Sequence, residues 1–119
     1  MNKLLLLSLV LGLGGCAQIR EYWPRSHDPV FVSAWVDAQI SLDSVDCKEP
    51  RGAWRATVQQ TQRLWMLADF RSDPQAENLK GLYAHSQRMD QSASTQFCEL
   101  GKKTAQLRLD QTRRAWEGR

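Results

Sequence analysis

The side chains of this 119-residue chain that could act in catalysis or bind a metal are its histidines, serines and carboxylates. The two histidines, His27 and His85, have no partner at His-x-x-x-His or Glu-x-x-His spacing. The serines lie outside nucleophile motifs and are explained by helix surfaces and caps; they include Ser33, Ser41, Ser86 and Ser94. The carboxylates are scattered, commonly with a basic residue one helical turn away; they include Asp37, Asp69, Glu77 and Asp90. We therefore expect no enzyme, no metal site and no cofactor.

Residues 1–15 have the layout of an export signal, in which Lys3 precedes an apolar run at residues 4–13 and two glycines. As a helix the run would be about 15 Å long, half of a ~30 Å hydrocarbon core, so it cannot serve as a permanent membrane anchor. Removing residues 1–15 takes away Lys3 and no acidic residue, which leaves 15 basic and 13 acidic residues. This near balance does not indicate nucleic-acid binding.

The segment Leu13-Gly14-Gly15-Cys16 resembles the lipobox of bacterial lipoproteins. The resemblance implies that the Cys16 thiol is acylated, that the chain is cleaved before Cys16, and that the freed amino group is then acylated. Several acyl chains, at about 0.8 kcal/mol per buried methylene group, hold such a protein stably in a membrane. In this family an aspartate after the cysteine commonly causes retention at the inner membrane, so Ala17 implies an outer-membrane anchor. The alternative is an ordinary secretory signal with a coincidental cysteine.

With Cys16 lipidated, Cys47 and Cys98 remain as an even pair in an oxidising compartment, and we expect a disulfide bond between them. In the chain-entropy model, closing a loop of about fifty residues stabilises the fold by about 4 kcal/mol. The alternative is a pair of buried free thiols or a redox couple, although no Cys-x-x-Cys spacing is present.

These cysteines belong to a single domain at residues 28–119, which follows a tether at residues 16–27. Apolar residues recur in the domain at spacings of three and four, without strand-like alternation, so an all-α fold is predicted. We predict helix A at residues 29–46, helix B at 51–71, helix C from residue 72 onward and helix D at 95–117. The stripe that indicates helix D consists of Phe97, Leu100, Thr104 and Leu107, with Ala105, Leu109 and Trp116 close beside it.

A polar stretch at residues 90–95 indicates a break between helices C and D. The sequence thus favours a three- to four-helix bundle pinned by one disulfide, with antiparallel neighbours joined by short turns. The A–B and C–D turns then share one end, which places Cys47 beside the first turn of helix D, where Cys98 lies. One continuous helix from Pro74 to Glu117 would also suit the disulfide, because Cys98 would lie ~36 Å along it and helix B is ~30 Å long.

Helix D carries the clearest charge asymmetry of the chain. The basic cluster of this helix and the residues just after it consists of Lys102, Lys103, Arg108, Arg113, Arg114 and Arg119. A solvated face explains them, because cations are favourable near a helix C-terminus. The alternative is a contact with acidic envelope material or an acidic protein, for which Arg108, Arg113 and Arg114 would be the binding residues.

Five tryptophans are many for a mature chain of this length, and four of them fall on or near helical stripes. These four are Trp35, Trp54, Trp65 and Trp116. Most are expected in the core, but tryptophan also anchors helix-in-groove contacts, so one or two could line a groove for a partner helix.

Lipobox, chain length and the placement of Cys47 and Cys98 together resemble, in outline, the pilotins of secretion systems. Pilotins are small outer-membrane lipoproteins whose disulfide-linked helical bundle grips a helical tail of a secretin. The resemblance implies a non-catalytic binding or assembly module with an envelope protein as partner, and it supplies no partner-binding residues. The rival interpretations are a surface-exclusion or inhibitor lipoprotein of a mobile element and a small cell-wall hydrolase.

Overall fold

The computed structural model describes residues 28–118, so the predicted signal peptide, Cys16 and the tether at residues 16–27 lie outside the described residues. Four helices make up the described chain. They are α1 (Pro29–Asp43), α2 (Arg55–Phe70), α3 (Ala76–Asp90) and α4 (Thr95–Glu117). No strand occurs within this range, and the predicted all-α fold is confirmed.

Capping side chains set the starts of two of the four helices, α1 and α4. The Asp28 side chain accepts a hydrogen bond from the Val30 backbone N–H at 3.0 Å, with Pro29 in the first turn. Ser94 accepts one from the Phe97 N–H at 3.2 Å and so starts α4 at the predicted residue. The break between α3 and α4 is therefore confirmed, and the continuous helix is wrong.

Two predicted helix ends extend too far. Helix A ends at Asp43 rather than at residue 46, and helix B begins at Arg55 rather than at residue 51. Turns occupy residues 51–54, where Gly52 adopts a φ of +72°, a left-handed conformation that glycine adopts without steric cost. Helix C likewise starts later than predicted, at Ala76, because residues 71–75 form turns.

The four helices form a ring of antiparallel neighbours. Each helix packs on the next one in the chain, and α1 also contacts α4; within the described residues no Cα atoms of α1 and α3, or of α2 and α4, lie within 8 Å of each other. This is the up-down-up-down arrangement that the short turns predict. Helices α2 and α3 pack most closely and α1 and α4 least closely. The surface between α1 and α4 is therefore the most open of the four helix interfaces.

Cys47 and Cys98 form the predicted disulfide bond. Their Cα atoms are 5.6 Å apart, and the two residues are 4% and 1% exposed. The bond joins the segment after α1 to the first turn of α4. It therefore fixes which side of α4 faces the bundle.

The apolar stripe from which this helix was predicted is not the face of α4 that is buried. Phe97, Leu100 and Leu107 are 48%, 62% and 65% exposed, and Thr104 is also exposed. The buried residues are Cys98, Gly101, Ala105, Leu109, Thr112 and Trp116. Because Cys98 must face Cys47, the helix is rotated about 100° from the orientation that would bury Phe97.

Gly101 provides the close approach that this rotation requires. A Cβ at Gly101 would overlap the Cε and Sδ atoms of Met89, which is itself 1% exposed. The contact explains why glycine occupies a helix interior despite a cost of about 1 kcal/mol relative to alanine.

No helix in the described part of the chain is both long enough and apolar enough to cross a membrane.

Candidate functional site

Three of the serines considered for catalysis are engaged in structural contacts. Ser41 and Ser86 donate hydrogen bonds to backbone carbonyls of their own helices at 2.7 and 2.9 Å, and Ser94 is a helix cap. Residues 28–118 contain no group of three His, Cys, Asp or Glu side chains that could hold a metal ion. His27 lies outside the described residues.

His85 is partly buried between α3 and α4. Its Nε2 donates a hydrogen bond to the Gly101 carbonyl oxygen at 2.9 Å. Burial lowers the pKa of His85, the hydrogen bond raises it, and the guanidinium groups of Arg88 and Arg108 lower it, so that the pKa lies below the ordinary 6.5. The imidazole is therefore neutral at pH 7 and acts as a structural hydrogen-bond donor.

The surface between α1 and α4 offers a site of a different kind. The two helices run antiparallel with Phe31 against Trp116, whose ring centroids are 4.8 Å apart. Further along, the Trp35 Nε1–H donates to the Leu109 carbonyl at 3.0 Å. Still closer to the disulfide, the side chain of Gln39 bonds to that of Gln106. These contacts hold the helix pair in register while leaving a cleft on its outer side.

This cleft, called here the α1–α4 groove, encloses about 360 Å³. Its lining is mainly apolar and consists of Val32, Trp35, Val36, Arg113, Trp116 and Glu117. Val32 and Val36 remain 41% and 40% exposed, and Ile40, one turn beyond on the same side of α1, is 58% exposed. An apolar row at positions i, i+4 and i+8 thus lies open to solvent beside two tryptophans.

Hydrogen bonds hold the tryptophan walls of the groove in place. The Trp116 N–H points to the Asp73 Oδ1 at 3.4 Å, and that carboxylate is 3% exposed. Trp35 is tied to the α4 backbone as described above. Because its N–H has a partner inside the bundle, the half-buried Trp35 indole can present carbon atoms to an apolar ligand. Trp116 is only 5% exposed and contributes little surface to the cleft.

Charged groups line one rim of the groove. Arg113 donates to the Glu117 carboxylate at 2.8 Å, and its guanidinium lies 5.8 Å from the Trp35 ring centroid. The hydrogen bond from Arg113 to Glu117, with the charge of that carboxylate, raises the pKa of Arg113. A polar rim of this kind around an apolar centre is typical of protein-binding surfaces.

The three arginines considered for binding do not share a surface. Arg108 points toward α3, where its Nη1 donates to the Asn78 Oδ1 at 3.2 Å and packs over Gly81. Arg113 points toward α1, and Arg114 is exposed. Only Arg113 belongs to the α1–α4 groove.

Of the four tryptophans in the described residues, two pack within the bundle and two line the groove. Trp54 is fully buried, with its N–H 3.4 Å from the Cys98 Sγ, and Trp65 stacks on Tyr83 with ring centroids 5.5 Å apart. These two are structural. Trp35 and Trp116 are the pair that line the groove.

The sequence analysis did not identify the valines of the groove, although the pattern of apolar residues in α1 indicates them. Helix α1 carries apolar residues on more than one side, since Val32, Val36 and Ile40 lie outside the stripe of buried residues Phe31, Ala34 and Ala38. An excess of apolar residues beyond the core-facing stripe indicates a second buried or bound face.

Comparison of the chain with protein-family models, with curated proteins and with solved structures found no match.

Proposed function

We propose that this chain is an outer-membrane lipoprotein that acts as a non-catalytic binding or assembly module for an envelope protein, in the manner of pilotins. The lipobox ending at Cys16 supports the membrane anchor. The observation that carries the binding role is the α1–α4 groove, because it combines exposed aliphatic side chains with two oriented tryptophans.

The groove suits a partner helix. Val32, Val36 and Ile40 extend about 12 Å along α1, which matches two turns of a helix lying along the groove. An amphipathic helix could insert apolar side chains at i, i+3 or i+4, and i+7 between this row and Trp116. The Arg113–Glu117 pair on the rim would then contact polar flanks of the partner.

The anchor is tested by labelling cells with radioactive palmitate. We expect label in the parent protein and none in a Cys16→Ser variant, which should also leave the outer-membrane fraction. Label-free parent protein, or unchanged maturation and fractionation of Cys16→Ser, would contradict lipid anchoring.

The groove is tested by photo-cross-linking in intact cells, with p-benzoylphenylalanine replacing Val36. We expect a cross-link to one envelope protein, with the attached peptide lying in an amphipathic helical segment. A matched probe at Lys80, an exposed position on α3 away from the groove, should give no such product.

Val36→Asp provides the matching loss-of-binding variant. Val36 is exposed, so this change should alter the free energy of unfolding by no more than about 0.5 kcal/mol. Co-isolation of the cross-linked partner should nevertheless be lost. Retained co-isolation, or equal cross-linking from Val36 and Lys80, would refute the groove as the binding site.

A further inference from the structure

Phe70 is the most exposed of the large apolar side chains in the described part of the chain. It is the last residue of α2 and is 89% exposed, whereas Leu107, the next most exposed, is 65% exposed. Single exposed apolar residues are common on protein surfaces. The position of Phe70 in the fold therefore matters more than its exposure alone.

Hydrogen bonds hold the turn that follows Phe70. The Asp73 N–H donates to the Ala68 carbonyl oxygen at 2.8 Å, and the Asp73 carboxylate accepts from the Gln75 N–H at 2.8 Å. Asp73 itself is only 3% exposed. Phe70 thus projects into solvent from an ordered turn rather than from a frayed helix end.

Phe70 lies at the end of the bundle where the described chain begins. The next residue, Arg71, forms an ion pair with Asp28, and Asp28 directly follows the predicted tether at residues 16–27. Twelve residues span at most about 40 Å even when fully extended. A lipid anchor at Cys16 would therefore keep this end of the bundle, and Phe70 with it, close to the membrane surface.

The charges near this end are mostly paired with one another. Arg71 forms an ion pair with Asp28, and Arg113 forms one with Glu117 at 2.8 Å. Arg114 is exposed, but one arginine does not make the cluster of basic residues that binds anionic lipids. Contact of this end with a membrane would therefore depend on apolar burial rather than on attraction to charged headgroups.

We infer that Phe70 inserts into the surface of the membrane that holds the lipidated Cys16, with the 42% exposed Val30 of the first turn of α1 as a second apolar contact. The inference rests on the proposed lipid anchor. The ring would move from water to the boundary between headgroups and acyl chains, where peripheral proteins bury apolar side chains.

This orientation also places the α1–α4 groove. Phe70 belongs to α2, and no Cα atoms of α2 and α4 lie within 8 Å of each other in the described residues. Lipid at Phe70 would therefore leave the groove open. A partner helix would then bind beside the membrane surface rather than far from it.

The test uses the full-length lipidated protein in phosphatidylcholine vesicles, with p-benzoylphenylalanine replacing Phe70. Phe97 is the matched control position, because it is also an exposed phenylalanine but lies at the opposite end, about 28 Å along α4 from Trp116. We expect phospholipid adducts, measured by mass spectrometry, to be at least about tenfold more abundant from Phe70, as burial of one ring predicts.

Flotation of the same vesicles measures the anchor separately. Protein that floats but gives equal or no adducts from the two probes would overturn the inference and leave the lipid anchor intact. Protein that does not float would overturn both. In intact cells, a protein adduct from Phe70 in place of the lipid adduct would also overturn the inference.

A second probe at Val30 tests whether Phe70 holds this end on the membrane. Phe70→Ser should lower the lipid adducts from Val30 about tenfold, whereas Phe97→Ser should leave them unchanged. Both substitutions are at exposed positions, so the melting temperature should stay that of the parent. Anionic phosphatidylglycerol or about 0.5 M NaCl should not change the yield from Phe70. Unchanged adducts in Phe70→Ser, or a yield that falls with salt, would contradict apolar insertion.

Discussion

The two ends of the bundle hold α1 to α4 by different means. At the disulfide end, Cys47 and Cys98 join the segment after α1 to α4 covalently, and Lys102 Nζ donates to the Val45 carbonyl at 3.1 Å. At the groove end, the link is the ring contact of Phe31 with Trp116. The α1–α4 groove opens at the second end.

Noncovalent contacts close the groove end. Arg71 forms an ion pair with Asp28 and lies 4.8 Å above the Phe31 ring. Burial alone would raise the pKa of Asp28, but hydrogen bonds from Arg71 and the Val30 N–H outweigh it, so the pKa lies below its usual value. Noncovalent contacts therefore hold the groove end, whereas a covalent bond also holds the disulfide end.

Loss of the disulfide bond should have the largest effect on stability. Replacing Cys47 and Cys98 together by alanine should lower the free energy of unfolding by about 4 kcal/mol, because the bond closes a loop of 51 residues in the unfolded chain. Urea denaturation of the parent and the double variant measures the difference. A loss below about 1 kcal/mol would mean that the noncovalent contacts hold the disulfide end equally well.

Loss of the Phe31–Trp116 ring contact should have the next largest effect on stability. Trp116→Ala should cost about 3 kcal/mol, because Trp116 is 5% exposed and packs on Phe31. Trp116→Phe keeps a ring and loses the N–H directed at Asp73, so it should cost about 1 kcal/mol. The comparison fails if denaturation curves show no difference between these two variants.

A change in the packing near the disulfide bond should have a smaller effect on stability. Gly101→Ala should destabilise the protein by about 1–2 kcal/mol, because the clash with Met89 outweighs the gain in helix propensity. In a Met89→Ala background the clash is gone, so Gly101→Ala should become neutral or stabilising. An additive pair of substitutions in this double-mutant cycle would rule out the contact as the cause.

The smallest effect is a pH dependence. The unfolded chain binds more protons than the folded one below about pH 6.5, because folding lowers the pKa of His85. Stability should therefore fall as pH decreases from about 7.5 to about 5.5, and a His85→Gln variant should show a flatter profile. A steeper profile in the variant would show that other groups control this range.

Local signals in the sequence were sufficient for the helices and the disulfide. Asp28-Pro29 and Ser94 mark helix starts through hydrogen bonds to nearby backbone atoms, so their effect does not depend on the rest of the fold. The pairing of Cys47 with Cys98 was expected because lipidation of Cys16 would leave them as an even pair, and short turns between antiparallel helices place both at the same end. Three helix ends were misplaced by three or four residues, because the first helix gives way to a turn at residue 44 and turns at residues 51–54 and 71–75 precede the next two helices.

The rotation of α4 could not be read from hydrophobicity. Phe97 and Leu100 are more apolar than Gly101 and Ala105, yet the latter are buried, because Cys98 fixes the rotation of the helix. Reading the stripe outward from Cys98 would have identified the buried face. The α1–α4 groove depends on how far apart the two helices lie, which no residue pattern specifies.

Hydrogen exchange on the intact protein, followed by mass spectrometry, tests the contrast between the two ends most directly. We expect peptides covering Val32–Val36 and residues 113–117 to exchange at least about tenfold faster than peptides covering residues 101–105 near the disulfide. The last turns of α2, at the same end but outside the groove, control for fraying and should stay protected near Leu64 and Ala68. Equal protection at both ends of α1 and α4 would contradict the account that the noncovalent groove end is the less stable of the two.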